Sequence, residues 1–294
     1  MVKNLNKNLK ILGGIVTYNP DILRLQENVT NLIDQVDYLY VFDNNSENFN
    51  EIREFFSKYS ERIYIYHSNI NLGIAKALAE MMEFAKNRQF DWVLTADQDS
   101  VLDNSLVQEY LAAIKKYGKN DIGILTCLIK DRNFADPTVE RQLDSIENVP
   151  ICITAGAFMN VQNYFLTKGY DSELFIDLVD TDICFTLREK GFRILRINYL
   201  GLYQEIGKGE NKQFLWKKII VHHSSVFREY YMVRNMFFLH KRHTNLYNKR
   251  DLVKGLLLNL MIIVFYENNK GMRLAKFVQG VKDGFLLGRL QEIT

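Results

Sequence analysis

Proline and cysteine are both scarce in this chain, with three of each among 294 residues. So little proline speaks against disordered tracts, and no low-complexity segment or internal repeat interrupts the sequence. The cysteines, Cys127, Cys152 and Cys184, are odd in number and form no Cys-x-x-Cys pair. A disulfide framework is therefore excluded, and the three are expected to be reduced core thiols in a cytosolic protein. Long apolar runs are also missing. The longest, Gly255 to Tyr266, is about half the length of a membrane span, and the first fourteen residues hold no apolar stretch of signal-peptide length. The expectation is a chain that does not cross a bilayer. Two nucleotide-binding loops are absent as well. No Gly-x-Gly-x-x-Gly follows the first apolar strand, and no Gly-x-x-x-x-Gly-Lys-Ser/Thr occurs anywhere. A dinucleotide fold of the NAD type is disfavoured, so a bound nucleotide would have to be held by carboxylates and a metal.

What is present is globular. Hydrophobic residues make up 47% and charged residues 24%, and the length allows one large domain or a domain with an appendage. Net charge is only +2, but residues 212–254 carry +8 and the remainder −6. Such asymmetry points to an anionic partner for the C-terminal region, nucleic acid or a lipid surface, with a solvated helical face as the plain alternative.

The first half alternates strand-like and helix-like segments. Ile11 to Tyr18 reads as a strand ending at the Asn19-Pro20 turn signal, and Asp21 opens a helix with Leu23, Val29, Leu32 and Ile33 on one face. Further strands are expected at "YLYVFD", closing on Asp43, at "RIYIYHS" and at "WVLTA". Between the last two lies an amphipathic helix opened at Gly73, with Ile74, Ala77, Leu78, Met81, Met82 and Ala85 in helical register. This alternation implies an α/β fold, a mostly parallel sheet flanked by helices, in which ligands sit at the carboxyl ends of strands. "DIGILTCLIK" and "ICITAGAFMN" read as more strands, and "DTDICFTLREKGFRILRI" as a helix ended by Gly191 and then a strand. From Val226 the chain reads as amphipathic helices. The composition shift near Gln213 divides a catalytic domain, 1–212, from a basic helical appendage, 213–294.

Thr17, Asp43, Asp97 and Asp99 all fall at strand carboxyl ends. Asp97 and Asp99 point the same way if strand geometry persists, and two such carboxylates suit a hard cation, Mg2+ or Mn2+. A turn rich in Asp and Ser is the alternative. Asp43 is either a nucleoside contact or a turn-capping residue. The first N–H groups of the helix at Gly73 could face a phosphate.

In this order, "VTYNP" (16–20), "DNNS" (43–46), "NLGIAKA" (71–77), "DQDS" (97–100) and "LVDTDICFTLREKGFRI" (178–194) resemble the successive motifs of family 2 glycosyltransferases with the GT-A fold. The likeness runs from about residue 11 to 240. "VTYNPD", "ADQDS" and "HHSSVFREYYMVRN" are most similar to the bacterial dTDP-rhamnosyltransferase group. The resemblance implies an inverting transferase that moves a sugar, L-rhamnose from dTDP-L-rhamnose first, to a lipid-linked glycan acceptor. UDP-galactose, UDP-glucose or a galactofuranose donor would suit the same motifs. It further implies that Thr17, Asn19, Asp43, Gly73 and Asp97 bind the nucleotide sugar, and that Asp99, with Asp97, holds the divalent cation. Asp180 stands where the family has its catalytic base, with crowding by Asp177 and Asp182 expected to lift a carboxyl pKa. Asp182 is the alternative base or a cap for its helix, and Asp182, His222 and Arg228 are candidate acceptor or diphosphate contacts. His223 is a candidate third metal ligand, and either His has an ordinary hydrogen-bonding role as its alternative. Here Ser225 stands where the group commonly has proline after His-Ser.

Assembly on a lipid carrier places the expected enzyme in the cytoplasm, peripheral to the inner face of the membrane, where basic helices meet anionic headgroups. A homodimer interface is the competing use of those helices. Two readings from other classes compete with the whole assignment. A sugar-1-phosphate nucleotidyltransferase would want a Gly-rich loop with Arg and Lys where this chain has "TYNPD". A nucleic-acid-binding module would need no Asp99 and would show steep salt dependence.

Overall fold

The computed structural model describes residues 9–131, 146–204, 210–214, 217–221 and 223–290. The chain divides into two compact units, 1–173 with 183–205, and 174–182 with 206–294.

In the first unit β1 (Ile11–Thr17), α1 (Ile22–Ile33), β2 (Tyr38–Asp43), β3 (Ile63–His67), α3 (Gly73–Asn87) and β4 (Trp92–Asp97) follow as expected, with a further helix, α2 (Phe49–Ser57), between β2 and β3. Next come β5 (Val101–Leu102), α4 (Leu106–Tyr117), β6 (Ile122–Asp131), β7 (Ile146–Asn148), β8 (Phe158–Asn160) and α5 (Val161–Tyr164). Helix α6 (Val179–Glu189) starts in the second unit and leads into β9 (Arg193–Gln204) in the first. The sheet order is β3-β2-β1-β4-β8-β6-β9-β5, with β7 also on β9. The ladders among β3, β2, β1 and β4 and between β6 and β9 are parallel. Those involving β5, β7 and β8 are short and antiparallel. The mostly parallel sheet is thus present. Strand order reverses at β1 and β4, which opens a crevice at their carboxyl ends.

Asp21 caps α1, its carboxylate accepting from the backbone N–H groups of Leu23 (2.9 Å) and Arg24 (3.1 Å). The buried face of α1 is Leu25, Asn28, Val29, Leu32 and Ile33. Leu23, expected on that face, is 75% exposed; at about 3.6 residues per turn it lies opposite Leu25. Helix α3 presses directly on β1, where a Cβ on Gly14 would lie 2.0 Å from the Met81 sulfur. The expected strand in "ICITAGAFMN" shrinks to Phe158–Asn160, because Gly156 turns the chain with φ +75°. Phe158 is stacked between Trp92 (4.8 Å between centroids) and Tyr110 (5.2 Å), all three fully buried. This is the centre of the sheet's core.

The second unit holds a hairpin, β10 (Glu210–Phe214) and β11 (Lys217–Val221), and three helices, α7 (Val226–Arg242), α8 (Lys249–Phe265) and α9 (Lys270–Leu290). Ser225 caps α7, and Asn248 with Asp251 forms a capping box on α8. Val233, Met236, Phe237 and Leu252 form its core, joined by Leu178, Tyr247 and Phe277. Helix α9 comes so close to α7 that a Cβ on Gly280 would lie 2.8 Å from the Tyr230 carbonyl oxygen. Near the start of α9, the buried Arg273 pairs with Glu229 of α7 (3.3 Å) and with Glu267 (2.9 Å), and donates to the Ser224 carbonyl (2.7 Å). Among the described residues no helix is long and apolar enough to cross a membrane.

Candidate functional site

Three loops leave the carboxyl ends of β1, β2 and β4, and side chains tie them together. Gln98 Oε1 accepts from the Tyr18 backbone N–H at 2.8 Å, joining the β4 loop to the β1 loop. Asn19, in the left-handed region at φ 47°, donates its N–H to Ser46 Oγ (2.8 Å) and accepts from the Glu47 N–H (2.7 Å). Those bonds hold the β1 loop to the β2 loop. From beneath, Asn28 of α1 donates to the Asp97 carbonyl at 2.6 Å. A rim braced this way keeps its shape without a ligand, so little ordering cost is left for binding.

Thr17 and Asp43 face each other in register at the ends of β1 and β2. Both are fully buried. Asp43 Oδ1 accepts from Thr17 Oγ1 (2.9 Å), while Oδ2 accepts from the Ser46 N–H (3.1 Å) and lies 2.7 Å from His67 Nδ1. A carboxylate withdrawn from water at a strand end needs such donors. Thr17 and Asp43, the residues expected at the nucleoside, thus hold internal partners at the sheet edge. They pin the strand ends under the rim, and the turn-capping alternative for Asp43 is the one seen. His67 completes the arrangement by stacking on Phe49, with ring centroids 3.9 Å apart.

Gly73 opens α3 with φ +81°, a conformation that suits glycine. Its N–H donates to Asn71 Oδ1 (2.9 Å), and the preceding Leu72 N–H donates to Asn44 Oδ1 (2.7 Å). Of the N–H groups at this helix start, that of Gly73 itself is capped internally.

The strand alternation expected to align Asp97 with Asp99 stops at Asp97. Asp97 is the last residue of β4, and the Ser100 N–H turns back to the Asp97 carbonyl at 3.3 Å. Asp97 is half-buried and accepts from Gln204 Nε2 at 2.9 Å, whereas Asp99 is exposed. Among the described residues no group of three or more His, Cys, Asp and Glu side chains is gathered for a metal. What is offered is a set of hard carboxylate oxygens on an open turn. That suits a Mg2+ or Mn2+ ion held by one or two carboxylates with substrate phosphates completing its shell.

In the second unit, Asp180 sits half-buried in the first turn of α6, where a carboxylate is favoured by the helix dipole. The loop before it is unusual. Phe175, Asp177 and Leu178 all have left-handed backbones, at φ 60°, 66° and 60°. Each costs on the order of 1–2 kcal/mol for a residue with a side chain. The strain is held by α7. Asn235, fully buried, directs its Nδ2 at the carbonyls of Leu174 (3.0 Å), Ile176 (2.8 Å) and Asp177 (2.8 Å). Arg228 Nε donates to both oxygens of Asp177, at 3.1 and 3.2 Å, and its Nη2 donates to Asp177 Oδ1. The Arg228 guanidinium is held more firmly charged than usual, first by the Asp177 hydrogen bonds against the opposing effect of burial, then by the charges of Asp177 and Asp180.

Asp182 departs from expectation. It is inside the helix, not at its cap, and is fully buried with Oδ1 2.9 Å from His243 Nε2 and 3.2 Å from Arg242 Nε. It cannot serve as an acceptor or diphosphate contact from that position. Asp177 and Asp182 each have a partner of their own, the Arg228 guanidinium and the His243 imidazole. Arg228, expected at the acceptor or diphosphate, is committed to Asp177. His223 lies in the second unit with Nδ1 3.4 Å from Glu267 Oε2. His222 lies outside the described residues.

Sequence reasoning missed Asn28, Gln98, Gln204, Asn235 and His243. Two carried a signal. Asn28 and Asn235 are single amides on otherwise apolar helix faces, where a polar group must find partners.

The family model described as Glycosyl transferase family 2 matches residues 14–192. The dTDP-rhamnosyl transferase RfbF of Shigella flexneri is 25% identical over 289 residues, covering 94% of this chain and 96% of that protein. Among solved structures, S. aureus TarS 1–349 in complex with UDP is similar with a TM-score of 0.62 at 13% identity, over 93% of this chain and 81% of that one. GalNAc-T7 with UDP, GalNAc and Mn2+ gives 0.58 at 13% identity, over 81% of this chain and 51% of that one. These structural likenesses speak for the GT-A fold alone. The motifs at the sheet's carboxyl edge lie within a family match that spans more than half the sequence, and the chain belongs to glycosyl transferase family 2.

Proposed function

We propose that this glycosyltransferase moves L-rhamnose from dTDP-L-rhamnose to a hydroxyl of a lipid-linked glycan, inverting the anomeric centre in a single displacement. The observation that carries the reading is the braced rim around Asp97 and Asp99, an open acidic turn on a sheet edge with no glycine loop for phosphates. The donor assignment is supported by the likeness to the S. flexneri rhamnosyl transferase along nearly the whole chain. A UDP-sugar is the second reading, favoured by the fold's likeness to TarS, solved with UDP-GlcNAc.

Asp99, with Asp97, would hold a divalent cation, which when bound neutralises charge building on the leaving diphosphate. The chain's own residues do the rest. Gln204 and Asn28 fix Asp97, one through its carboxylate and one through its carbonyl. Tyr18 and Asn19 present the exposed edge of the β1 loop to the nucleotide. Asp180 takes the proton from the acceptor hydroxyl as that oxygen attacks the anomeric carbon. Asn235 and Arg228 hold the loop that aims it.

Incubating the protein with Mn2+, a lipid-linked glycan acceptor and a panel of nucleotide sugars should release dTDP from dTDP-L-rhamnose faster than UDP from any UDP-hexose. Release of UDP alone would replace the donor. Release from none of the panel would remove the transferase reading of this site.

A further inference from the structure

Half of the large apolar side chains exposed among the described residues lie between Val253 and Leu286, on α8 and α9. Single exposed apolar residues need no explanation, but a concentration of them does.

On α8 the outward arc can be read from the burial of each residue. Leu252 and Ile263 are its buried side. Opposite them, at helical spacing, stand Val253, Leu257, Leu258, Val264 and Phe265, all exposed, with Met261 half-buried among them. Arg250 and Lys254 share that arc at its N-terminal end, both exposed. The helix therefore turns to solvent a face about as apolar as the one it buries, tipped with two cations. Helix α9 repeats the pattern. Met272, Val278, Phe285 and Leu286 are exposed on one side with Lys282 in the same arc. Exposed acids are absent from both arcs. Asp251 is engaged in the α8 capping box, Glu267 is buried against Arg273, and Asp283 accepts from Tyr230 at 3.0 Å.

We propose that the outward faces of α8 and α9 dock on an anionic phospholipid surface, lying in the plane of the interface without crossing it. Charge selects this occupant. Anionic headgroups supply countercharge to Arg250, Lys254 and Lys282, while acyl chains take up Leu257, Leu258 and Val278. A second copy of the same face would bring only more cations to those residues. Neither helix is long and apolar enough to span a membrane. The inference needs no assumption about the donor or the catalytic base, because binding is read without turnover.

The test is co-sedimentation of the full chain with vesicles of phosphatidylcholine alone or mixed with phosphatidylglycerol. Pelleting with the anionic vesicles only, weakening as salt rises, is expected. Leu257→Glu/Leu258→Glu should lower vesicle affinity by about tenfold or more per side chain. Arg250→Glu/Lys254→Glu should lower it by roughly fivefold or more per residue and flatten the salt dependence. Unchanged far-UV circular dichroism would establish that the variants fold. Failure of the unaltered chain to pellet with anionic vesicles, or equal pelleting with neutral ones, would overturn the proposal. So would a dimer in sedimentation equilibrium that Leu257→Glu/Leu258→Glu converts to monomer, since the face would then belong to a second copy.

Discussion

Asp180→Asn is expected to reduce kcat by about a hundredfold to ten-thousandfold, the usual range for losing a general base, while KM for the donor changes little. The substitution keeps size and most hydrogen bonding but removes the ability to take a proton. Asp180 has the support that a base needs. It follows a loop with three left-handed residues that no helix propensity would choose, held by the Asn235 amide on three carbonyls and by the Arg228–Asp177 pair. Such strain persists only where the surroundings over-determine it. Initial-rate kinetics with saturating acceptor would decide the matter, and undiminished kcat would remove Asp180 from the role.

The second large effect concerns stability. Arg273→Met should cost about 3–5 kcal/mol, because it leaves Glu229 and Glu267 buried without their shared cation. Thermal unfolding monitored by circular dichroism would measure it. The loss should depend on pH with a definite sign. Burial already pushes the Glu229 carboxyl above its usual range, against hydrogen bonds from Asn259 and Arg273. A carboxyl whose folded pKa exceeds its unfolded value favours the fold fully below about pH 4.3, and the benefit fades as pH rises through the folded value. Removing Arg273 moves that folded value higher. Relative to the parent, the variant should therefore be least impaired in acid and most impaired near neutrality. Glu229→Gln placed on Arg273→Met should restore part of the lost stability. A deficit constant across pH would mean that lost packing dominates, not the stranded charges.

The sequence made the sheet legible because its signals are local. β1, β2 and β4 end where apolar runs meet Asn, Asp and Ser, and α3 spans its apolar register from Gly73. α7 runs from Val226 to Arg242, the full stretch read as helical. Less was legible where geometry changes within one residue. Asp97 and Asp99 were expected to share a direction, and the turn after Asp97 breaks the alternation on which that rested. Leu23 was placed on a buried face that Leu25 occupies. Partnerships across long separations carried no local signal. Asn235 meets its carbonyls about sixty residues away, Gln204 reaches Asp97 across 107, and His243 reaches Asp182 across 61. For the same reason the internal partners of Thr17, Asp43, Asp182 and Arg228 are not legible in the sequence.

Calorimetric titration of dTDP into the protein, with and without Mn2+ and repeated with Asp99→Ala, tests the assignment of the sheet-edge turn most directly. Binding that Mn2+ strengthens and that Asp99→Ala makes insensitive to Mn2+ is expected. Binding of equal strength in all four titrations would contradict it.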